Sequence, residues 1–571
     1  MKVILAASLF VSTIVFGQSY KTPFEQGNGN QTTTFAAMRS YYQQLAKDFK
    51  TIEYLKMGED DNGEPIEVVV FNPYKQDVES LAKTKSVLLI NNGIHPGEPD
   101  GIDATMAMMR DFATKKLKAP QNVLIVAIAA YNVSGMMNRG QFSRANQNGP
   151  EQYGFRGNAR NYDLNRDFIK TDTKNSWSFQ KIYQYFQPDV FIDNHVSNGA
   201  DYQYTFTYIS TNKERLGKPL GNYFHQNMQP EILKSFTERN ILSVPYVNIH
   251  GDVPDKGFPA FVDSPRYATG YTTLFNSIGT VVETHMLKPY KDRVAVTYDY
   301  MLETINYVEK HFQDIKQKRL DARNEYKVGQ DYPLQWKLDS TKYSKLDFKG
   351  FEAGYKPSAI SGKPRLYYDR SKKFSKPILY YDTYKPTSFV KIPKYYVIPQ
   401  SEYHVIDLLK LNNIEMKTIK KDSLINVEQY RIRDFKTATN PYEGHYLHNE
   451  TIVGRENAQK MFRAGDMLVN LNQNGMKFLL ETLEPEAVDS YFNWNFFDAI
   501  LGQKEYYSAY VFEDTAEQLL KNDKALKTAF ELEKAKDPKF AQDGAAQLDW
   551  VYKNSPYYEK THRLYPIFRI N

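Results

Sequence analysis

A histidine and a carboxylate lie three residues apart in the segment "NNGIHPGEPDG", residues 91–101. His95 and Glu98 each precede a proline, and a proline disfavours the helical region for the residue before it. Imidazole nitrogen and carboxylate oxygen are both ligands of metals such as zinc. The stretch therefore predicts either part of a metal site or an ordinary connection between a strand and a helix.

Side chains of the same kinds occur at the ends of two later apolar runs. His195 ends "DVFIDNH", and Glu283 lies near the end of "GTVVETH". In open α/β sheets, sites form outside the carboxyl ends of the strands, so we expect these side chains close to His95 and Glu98. Two imidazoles, one carboxylate ligand and a further carboxylate as base are the inventory of a catalytic zinc site.

Apolar runs predict the strands that would position these side chains. Runs without polar alternation are typical of strands that are covered on both faces. Helical patterns separate them, one over residues 101–112 and a charged one over residues 298–319. This favours an α/β fold with a mixed, largely parallel twisted sheet flanked by helices. The predicted strands are residues 66–71, 86–90, 122–130, 189–195 and 279–285.

The sequence changes in character after residue 321. Residues 366–399 are rich in tyrosine and proline, spaced as in short strands and turns. Beyond them we predict a helix within residues 401–416 that ends at Asn412, a strand at 465–473 and a capped helix at 514–521. Since 571 residues exceed one ordinary domain, we expect a catalytic domain at 18–324 and a β-rich α+β accessory domain of one or two subdomains at 325–571.

The N-terminal sequence "MKVILAASLFVSTIVFGQSY" predicts a signal peptide at residues 1–17. Lys2 precedes an apolar run that is too short to span a bilayer comfortably, and small or polar residues follow it. A buried strand or an uncleaved anchor is the alternative. We expect a secreted or periplasmic bacterial protein without stable membrane insertion after signal removal. The net charge of +6 without a long basic block argues against a nucleic-acid partner.

Four short motifs in a fixed order carry a family resemblance. "HPGE" at residues 95–98, "YDLNRDF" at 162–168, "IDNH" at 192–195 and "VVETH" at 281–285 resemble the zinc metallocarboxypeptidases of the carboxypeptidase A type. The pair HxxE is weak evidence on its own. Its combination with a distant histidine and the Asp-Leu-Asn-Arg motif between them is specific. The resemblance covers the α/β part, about half of the chain.

The resemblance implies a set of metal ligands and a base. His95, Glu98 and His195 resemble the ligands of a single zinc ion. Glu283 resembles the glutamate that activates the zinc-bound water and shuttles its proton. Asp163 resembles the carboxylate that orients the first zinc histidine, since such partners fix the tautomer and the ring orientation.

The same resemblance implies substrate-binding residues. Asn165 and Arg166 resemble the pair that binds the terminal carboxylate of the substrate. Arg144 is the best match for the arginine that polarises the scissile carbonyl, with Arg139 and Arg156 as alternatives. For the tyrosine of the specificity pocket we take Tyr271, with Tyr267 as the alternative.

These expectations describe an exported zinc peptidase that hydrolyses C-terminal peptide bonds through a zinc-activated water, with a glutamate as general base. Its partner would be a peptide or protein with a free C-terminus. A zinc-dependent amidase or deacylase and a cell-wall peptide hydrolase are alternatives on the same site. An inactive protein that binds peptide or glycan is an alternative of another class, although a binding protein needs no general base.

Three further histidines are weaker candidates for a role in catalysis or metal binding. His285 lies two residues after Glu283, on the same face of a strand, and is expected near the ligands rather than as the base. His445 and His448 have a spacing found in metal sites, but no predicted strand end accompanies them.

Overall fold

The computed structural model describes residues 20–571, so the predicted signal peptide lies outside the described residues. Within residues 20–571, no helix combines the length and the apolar character needed to cross a bilayer.

Between residues 20 and 285 the described chain forms nine strands. In chain order they are β1 Ile52–Glu59, β2 Pro65–Phe71, β3 Ser86–Asn92, β4 Val123–Ile128, β5 Val190–Ser197, β6 Phe206–Ser210, β7 Ser243–Pro245, β8 Phe258–Pro259 and β9 Ile278–His285. All but β8 form one sheet with the order β1-β2-β4-β3-β5-β9-β6-β7.

The centre of this sheet is parallel. β3 pairs with β4 and β5, and β5 pairs with β9, all in parallel register. Every residue of β3, β4 and β5 is buried, which explains their continuous apolar sequence. Towards the edges the sheet also contains antiparallel pairs, β1 with β2, β2 with β4 and β6 with β9, while β6 and β7 are parallel. The predicted mixed α/β sheet is thus confirmed, and the five predicted strands correspond to β2, β3, β4, β5 and β9.

Helices pack against this sheet. The helix Asp100–Ala113 contacts the long helix Tyr290–Arg323, and both contact the central strands. Both helices were predicted, but each is longer than its apolar pattern indicated. The α-helices within residues 20–571 are Pro23–Gln26, Phe35–Asp48, Val78–Thr84, Asp100–Ala113, Val133–Met137, Lys174–Phe186, Lys213–Leu216, Lys218–Tyr223, Gln229–Glu238, Ala268–Thr273, Tyr290–Arg323, Tyr403–Leu411, Met476–Leu483, Ala509–Asn522, Lys524–Lys536 and Gly544–Lys553.

The C-terminal half is rich in antiparallel strands, as predicted. Its strands are β10 Asp331–Leu338, β11 Ser344–Pro357, β12 Pro364–Tyr381, β13 Tyr384–Lys391, β14 Tyr395–Ile398, β15 Met416–Thr418, β16 Ser423–Thr437, β17 His448–Phe462, β18 Met467–Asn470 and β19 Phe568–Ile570. β10 pairs with β13, β11 pairs with β12, and six strands form a sheet with the order β15-β18-β14-β19-β16-β17.

One prediction for this half is wrong in detail. Residues 366–399 were expected to form only short strands, yet β12 runs unbroken for 18 residues beside β11. Pro377 is tolerated inside it because β12 has a second neighbour, β8, only at its last two residues.

The two halves of the chain are in direct contact. One continuous cluster of buried apolar side chains includes residues of the first sheet and residues such as Tyr332, Phe478 and Trp494. The buried hydroxyl of Tyr271 donates a hydrogen bond to Asn412 Oδ1 at 2.6 Å, and Arg266 pairs with Asp489 at 2.7 Å. The C-terminal half therefore packs against the loops that surround the candidate site. The boundary between residues 324 and 325 stays a prediction.

Candidate active site

The candidate ligands lie where central parallel strands end. His95 and Glu98 follow β3, in the turn that leads into the helix Asp100–Ala113. His195 is the third residue from the end of β5, and Glu283 is the third residue from the end of β9. Since the carboxyl ends of parallel strands share one edge of the sheet, residues far apart in the sequence meet there.

His95, Glu98 and His195 form a compact buried group. One ligand atom from each lies within 4.8 Å of the other two, and no second group of this kind occurs within residues 20–571. His95 Nδ1 is 3.3 Å from Glu98 Oε1. His195 Nδ1 is 3.0 Å from Glu98 Oε2. Three residues predicted from the sequence to bind one ion are thus brought together.

Each histidine is also held from behind by a carboxylate. His95 Nε2 is 2.9 Å from Asp163 Oδ1, and His195 Nε2 is 2.9 Å from Asp193 Oδ2. Hydrogen bonds of this kind fix the ring orientation and tautomer of metal-binding histidines. The contact between Asp163 and His95 is the one expected from the resemblance. Asp193 was not predicted.

This hydrogen-bonding pattern fits a bound divalent cation. A neutral imidazole has one N–H and one lone pair. If each Nε2–H donates to its outer carboxylate, each Nδ1 presents a lone pair to Glu98, which is itself an acceptor. Acceptors that face one another are stabilised by positive charge. Arg156 Nη1, 3.3 Å from His95 Nδ1, supplies part of it, and a bound cation would supply more, since imidazole nitrogen with carboxylate oxygen is a donor set of catalytic zinc. The residues therefore fit the metal, and its identity as zinc stays a prediction.

The electrostatics of the group point the same way. Burial opposes a charged imidazole at His195, yet Asp193 and Glu98 raise its pKa well above the ordinary value. Burial also opposes ionisation of Glu98, but Arg144 and His95 hold its pKa well below the ordinary value. Glu98 is thus kept ionised, the form in which a carboxylate binds a metal, and the negative charge of Glu98 and Asp193 favours a positive charge beside them.

Two arginines approach the ligands. Arg144 Nη2 donates to Glu98 Oε1, and Arg156 Nη1 lies 3.7 Å from the same oxygen. Arg156 is also fixed by two hydrogen bonds to Asp163 Oδ2, at 3.0 and 2.8 Å. Arg139, the other alternative, instead donates to backbone carbonyls of residues 32 and 33 and does not line the cavity.

A cavity of about 640 Å³ opens onto the ligands. Asn165 and Arg166 line it, on a short 3-10 helix that Asp163 caps. The guanidinium carbon of Arg166 lies 4.5 Å from the centroid of the Tyr267 ring, in a cation–π contact. The hydrogen bond that Arg166 makes within residues 20–571 goes to the carbonyl of Asn165 at 2.9 Å. A planar cation therefore lines the cavity that contains the metal ligands.

The structure separates the two candidate tyrosines. Tyr271 is fully buried, is bonded to Asn412 and does not line the cavity. It was selected as the pocket residue, but its hydroxyl holds the C-terminal half against the sheet. Tyr267, the alternative, lines the cavity together with Tyr246.

Glu283 faces the same cavity. It lies opposite His195 in the register of β5 and β9. Burial raises its pKa to about 8, and the nearby Glu98 and Asp193 add to this while His195 opposes it. Within residues 20–571 no side-chain or backbone group is hydrogen bonded to its carboxylate, so it is not engaged in a structural contact.

The three weaker candidates, His285, His445 and His448, are not part of the site. His285 is buried, its Nε2 is 3.0 Å from the carbonyl of Ala200, and burial lowers its pKa to about 4. His445 Nε2 is bonded to Asp172 at 2.8 Å and His448 Nε2 to Asp498 at 3.0 Å.

Sequence reasoning missed three residues that belong to the site. Asp193 precedes His195 by two positions and therefore lies on the same face of β5, which is a usable signal. Asp263, which burial gives a pKa of about 7, and Tyr246 line the cavity from loops. Nothing in their local sequence marks them, because loop residues have no periodicity that predicts where they point.

The structure is similar to solved metallo-carboxypeptidases. One is a metallo-carboxypeptidase from Burkholderia cenocepacia, at 14% identity over 48% of this chain and 68% of that chain, with a TM-score of 0.35. A second is a metallo-carboxypeptidase from Pseudomonas aeruginosa in complex with (2-guanidinoethylmercapto)succinic acid, at 14% identity over 48% and 69%, with a TM-score of 0.35. A third is carboxypeptidase A from Helicoverpa armigera, at 13% identity over 51% and 74%, with a TM-score of 0.35.

The sequence matches no model of a protein family. It also matches no curated protein.

Proposed function

We propose that the protein is an exported zinc-dependent peptidase that removes residues from the C-terminus of peptides. The observation that supports this most is the convergence of His95, Glu98 and His195, each histidine held by an outer carboxylate, in a cavity that also contains Glu283 and Arg166. A metal, a base and a carboxylate-binding cation are the three requirements of that reaction.

His95, Glu98 and His195 would hold the metal. Zinc, when bound, supplies Lewis acidity that polarises a carbonyl and makes water acidic enough to react near neutral pH. Asp163 and Asp193 keep the two rings oriented for this task. The chain supplies the remaining functions with its own side chains.

Glu283 would accept the proton of the attacking water and pass it to the leaving amine. Its carboxylate faces the cavity, and the parallel register fixes it beside His195. Burial raises its pKa toward neutrality, which favours reversible proton transfer, whereas a bound divalent cation acts in the opposite direction.

Arg166 and Asn165 would bind the terminal carboxylate of the substrate. A guanidinium binds a carboxylate with two parallel hydrogen bonds, and the ring of Tyr267 contacts the guanidinium of Arg166. This contact selects substrates that have a free C-terminus.

Arg144 is the better candidate for polarising the scissile carbonyl. Its contacts are Glu98 and Gln147, whereas Arg156 is fixed to Asp163 by two hydrogen bonds. A cation bound by Glu98 competes with Arg144 for the same carboxylate, so Arg144 is the arginine that can turn toward substrate.

Two alternatives use the same ligands. An amidase or deacylase, or a hydrolase of cell-wall peptides, would need Glu283 and the metal but would not depend on Arg166 for every substrate. An inactive binding protein would need neither Glu283 nor the metal. A base directed into the cavity without a structural partner favours catalysis over binding alone.

One experiment separates these possibilities. The purified protein is incubated with a mixture of peptides, with and without a chelator, and the products are identified by mass. Stepwise loss of C-terminal residues that stops with chelator and returns with added zinc supports the proposal. Internal cleavage, or release of acyl groups from blocked peptides, identifies the first alternative, and an unchanged mixture identifies a binding protein.

A further inference from the structure

A tight turn from the C-terminal half reaches the loop that carries Asp163. Tyr442 and His445 form an isolated antiparallel bridge with reciprocal backbone hydrogen bonds of 2.7 and 3.1 Å. The two residues between them, Glu443 and Gly444, both have positive φ, of 49° and 82°. This is the pattern of a two-residue turn of the type I′ kind, which strongly favours Asn-Gly or Gly-Gly.

Glutamate is an unfavourable residue at the first position of such a turn. Residues other than glycine, asparagine and aspartate rarely adopt positive φ, and a strained residue that persists often has a functional reason. The backbone alone would be served better by asparagine. The side chain of Glu443 therefore needs an explanation outside its own turn.

That side chain binds the backbone beside the metal ligands. Glu443 Oε2 accepts a hydrogen bond from the N–H of Asp163 at 2.9 Å. The carboxylate of Asp163 in turn contacts His95 Nε2 at 2.9 Å and accepts from the N–H of Asn165 at 2.9 Å. The carboxylate of Glu443, from the C-terminal half, thus fixes the backbone of Asp163. Asp163 in turn orients the candidate ligand His95 and caps the short helix that carries Asn165 and Arg166.

The rest of the turn supports this contact. A Cβ at Gly444 would lie 2.5 Å from the hydroxyl of Tyr162, so the turn packs closely on the residue before Asp163. His445 Nε2 lies 2.8 Å from Asp172 Oδ2, farther along the same loop. The turn is therefore fitted to this loop at three successive positions.

We propose that Glu443 is a positioning residue for the metal site, which acts by holding the backbone of Asp163 so that its carboxylate orients His95. This inference rests on the proposed function in that it takes His95 as a metal ligand. It gives the C-terminal half a role in the site, although that half provides none of the candidate ligands.

Three variants test the proposal in the full chain. Glu443→Gln keeps an acceptor oxygen at the same reach. Glu443→Asn is one methylene shorter and cannot reach Asp163, but it is the residue that the turn prefers. Glu443→Gly removes the side chain and also suits the turn. We expect Asn and Gly to leave the thermal midpoint equal to or above that of the wild type.

The decisive readout is zinc affinity, measured by competition with a chromophoric chelator. Changes to groups behind a metal ligand typically cost about 10–100-fold in affinity, so we expect a loss of about 10-fold for Asn and Gly. Gln should stay within a factor of about three of the wild type, since the acceptor remains. Wild-type affinity in the Asn and Gly variants overturns the proposal, and a loss in Gln as large as in Asn overturns the acceptor role.

A second readout does not depend on metal. Hydrogen exchange at the amide of Asp163 should be faster in Asn and Gly than in Gln and wild type. If the wild type binds no zinc, the proposed function fails, and this exchange still decides whether Glu443 holds the Asp163 backbone. Equal exchange in all four proteins overturns the contact itself.

Discussion

His195 and Glu283 lie directly opposite each other on two neighbouring parallel strands, β5 and β9. Neighbouring strands are about 4.8 Å apart, so a candidate ligand and the candidate base sit side by side on the same edge of the sheet. Backbone hydrogen bonds set this relationship, because a slip of one residue would turn either side chain to the other face. The register of the sheet thus fixes the separation between the candidate ligand and the candidate base.

Replacing His95 by alanine should abolish stoichiometric zinc binding. It removes one of the two proposed imidazole ligands, the one that Asp163 contacts. Metal content of the purified variant, measured by elemental analysis, tests this. His404→Ala is the matched control, since His404 is exposed, stacks on Phe496 and does not line the cavity. Full zinc occupancy in the His95 variant would refute the ligand assignment.

Glu283→Gln should stop turnover while zinc stays bound. Glutamine keeps the size of the side chain but cannot accept a proton from water, and general acid–base groups contribute about 10²–10⁴-fold. Turnover of a C-terminal peptide substrate and zinc content are measured on the same sample. Near-normal turnover would mean that another residue of the cavity acts as the general base. Asp263 is the candidate, because it is also a carboxyl group that lines the cavity.

Arg166→Ala should weaken kcat/KM for peptides with a free C-terminus. Truncating one member of a partly desolvated charge pair costs about 2–5 kcal/mol, or roughly 30- to several-thousand-fold. The loss should be small for the same peptides with an amidated C-terminus, which the wild type should already cut poorly. Arg166→Lys should restore little, because an ammonium lacks the planar fork. Equal cleavage of both peptides by the wild type would favour an endopeptidase or deacylase.

Asp193→Asn should lower zinc affinity although Asp193 is not itself a proposed ligand. It holds His195 through Nε2, and loss of such a partner costs about 10–100-fold in metal affinity. Asp163→Asn should act similarly through His95. Competition with a chelator measures both, and Asp407→Asn, on an exposed helical face, serves as the control. Affinities equal to wild type would mean that the outer carboxylates do not set the ligand geometry.

The two tyrosines should separate stability from catalysis. Tyr271→Phe leaves Asn412 Oδ1 buried without its donor, which costs about 1–3 kcal/mol of unfolding free energy, and kcat/KM should be nearly unchanged. Tyr267→Ala removes the ring beneath Arg166 and should raise KM with little change in stability. Thermal unfolding and steady-state kinetics on both variants test this, and the reverse pattern would return the pocket role to Tyr271.

Much of the site followed from the sequence. The proposed ligands and the proposed base lie at the ends of apolar runs, and such runs predict buried strands whose carboxyl ends share an edge. Asp193 was within reach of the same reasoning through the two-residue period of a strand. The short strand β6 and the antiparallel edge strand β1 were not predicted. Apolar and polar residues alternate only weakly in their sequences, and these strands form by pairing with neighbouring strands of the sheet.

What the sequence determined by itself is local chemistry and order along the chain: His95 and Glu98 in a turn after β3, His195 and Glu283 at later strand ends. Only the tertiary structure decided which side chains from loops complete the site. Tyr267 rather than Tyr271 lines the cavity because Tyr271 is buried against Asn412. Glu443 reaches Asp163 from a turn 280 residues away in sequence. Contacts between distant loops carry no periodicity, so they are fixed by packing and by hydrogen bonds that exist only once the chain has folded.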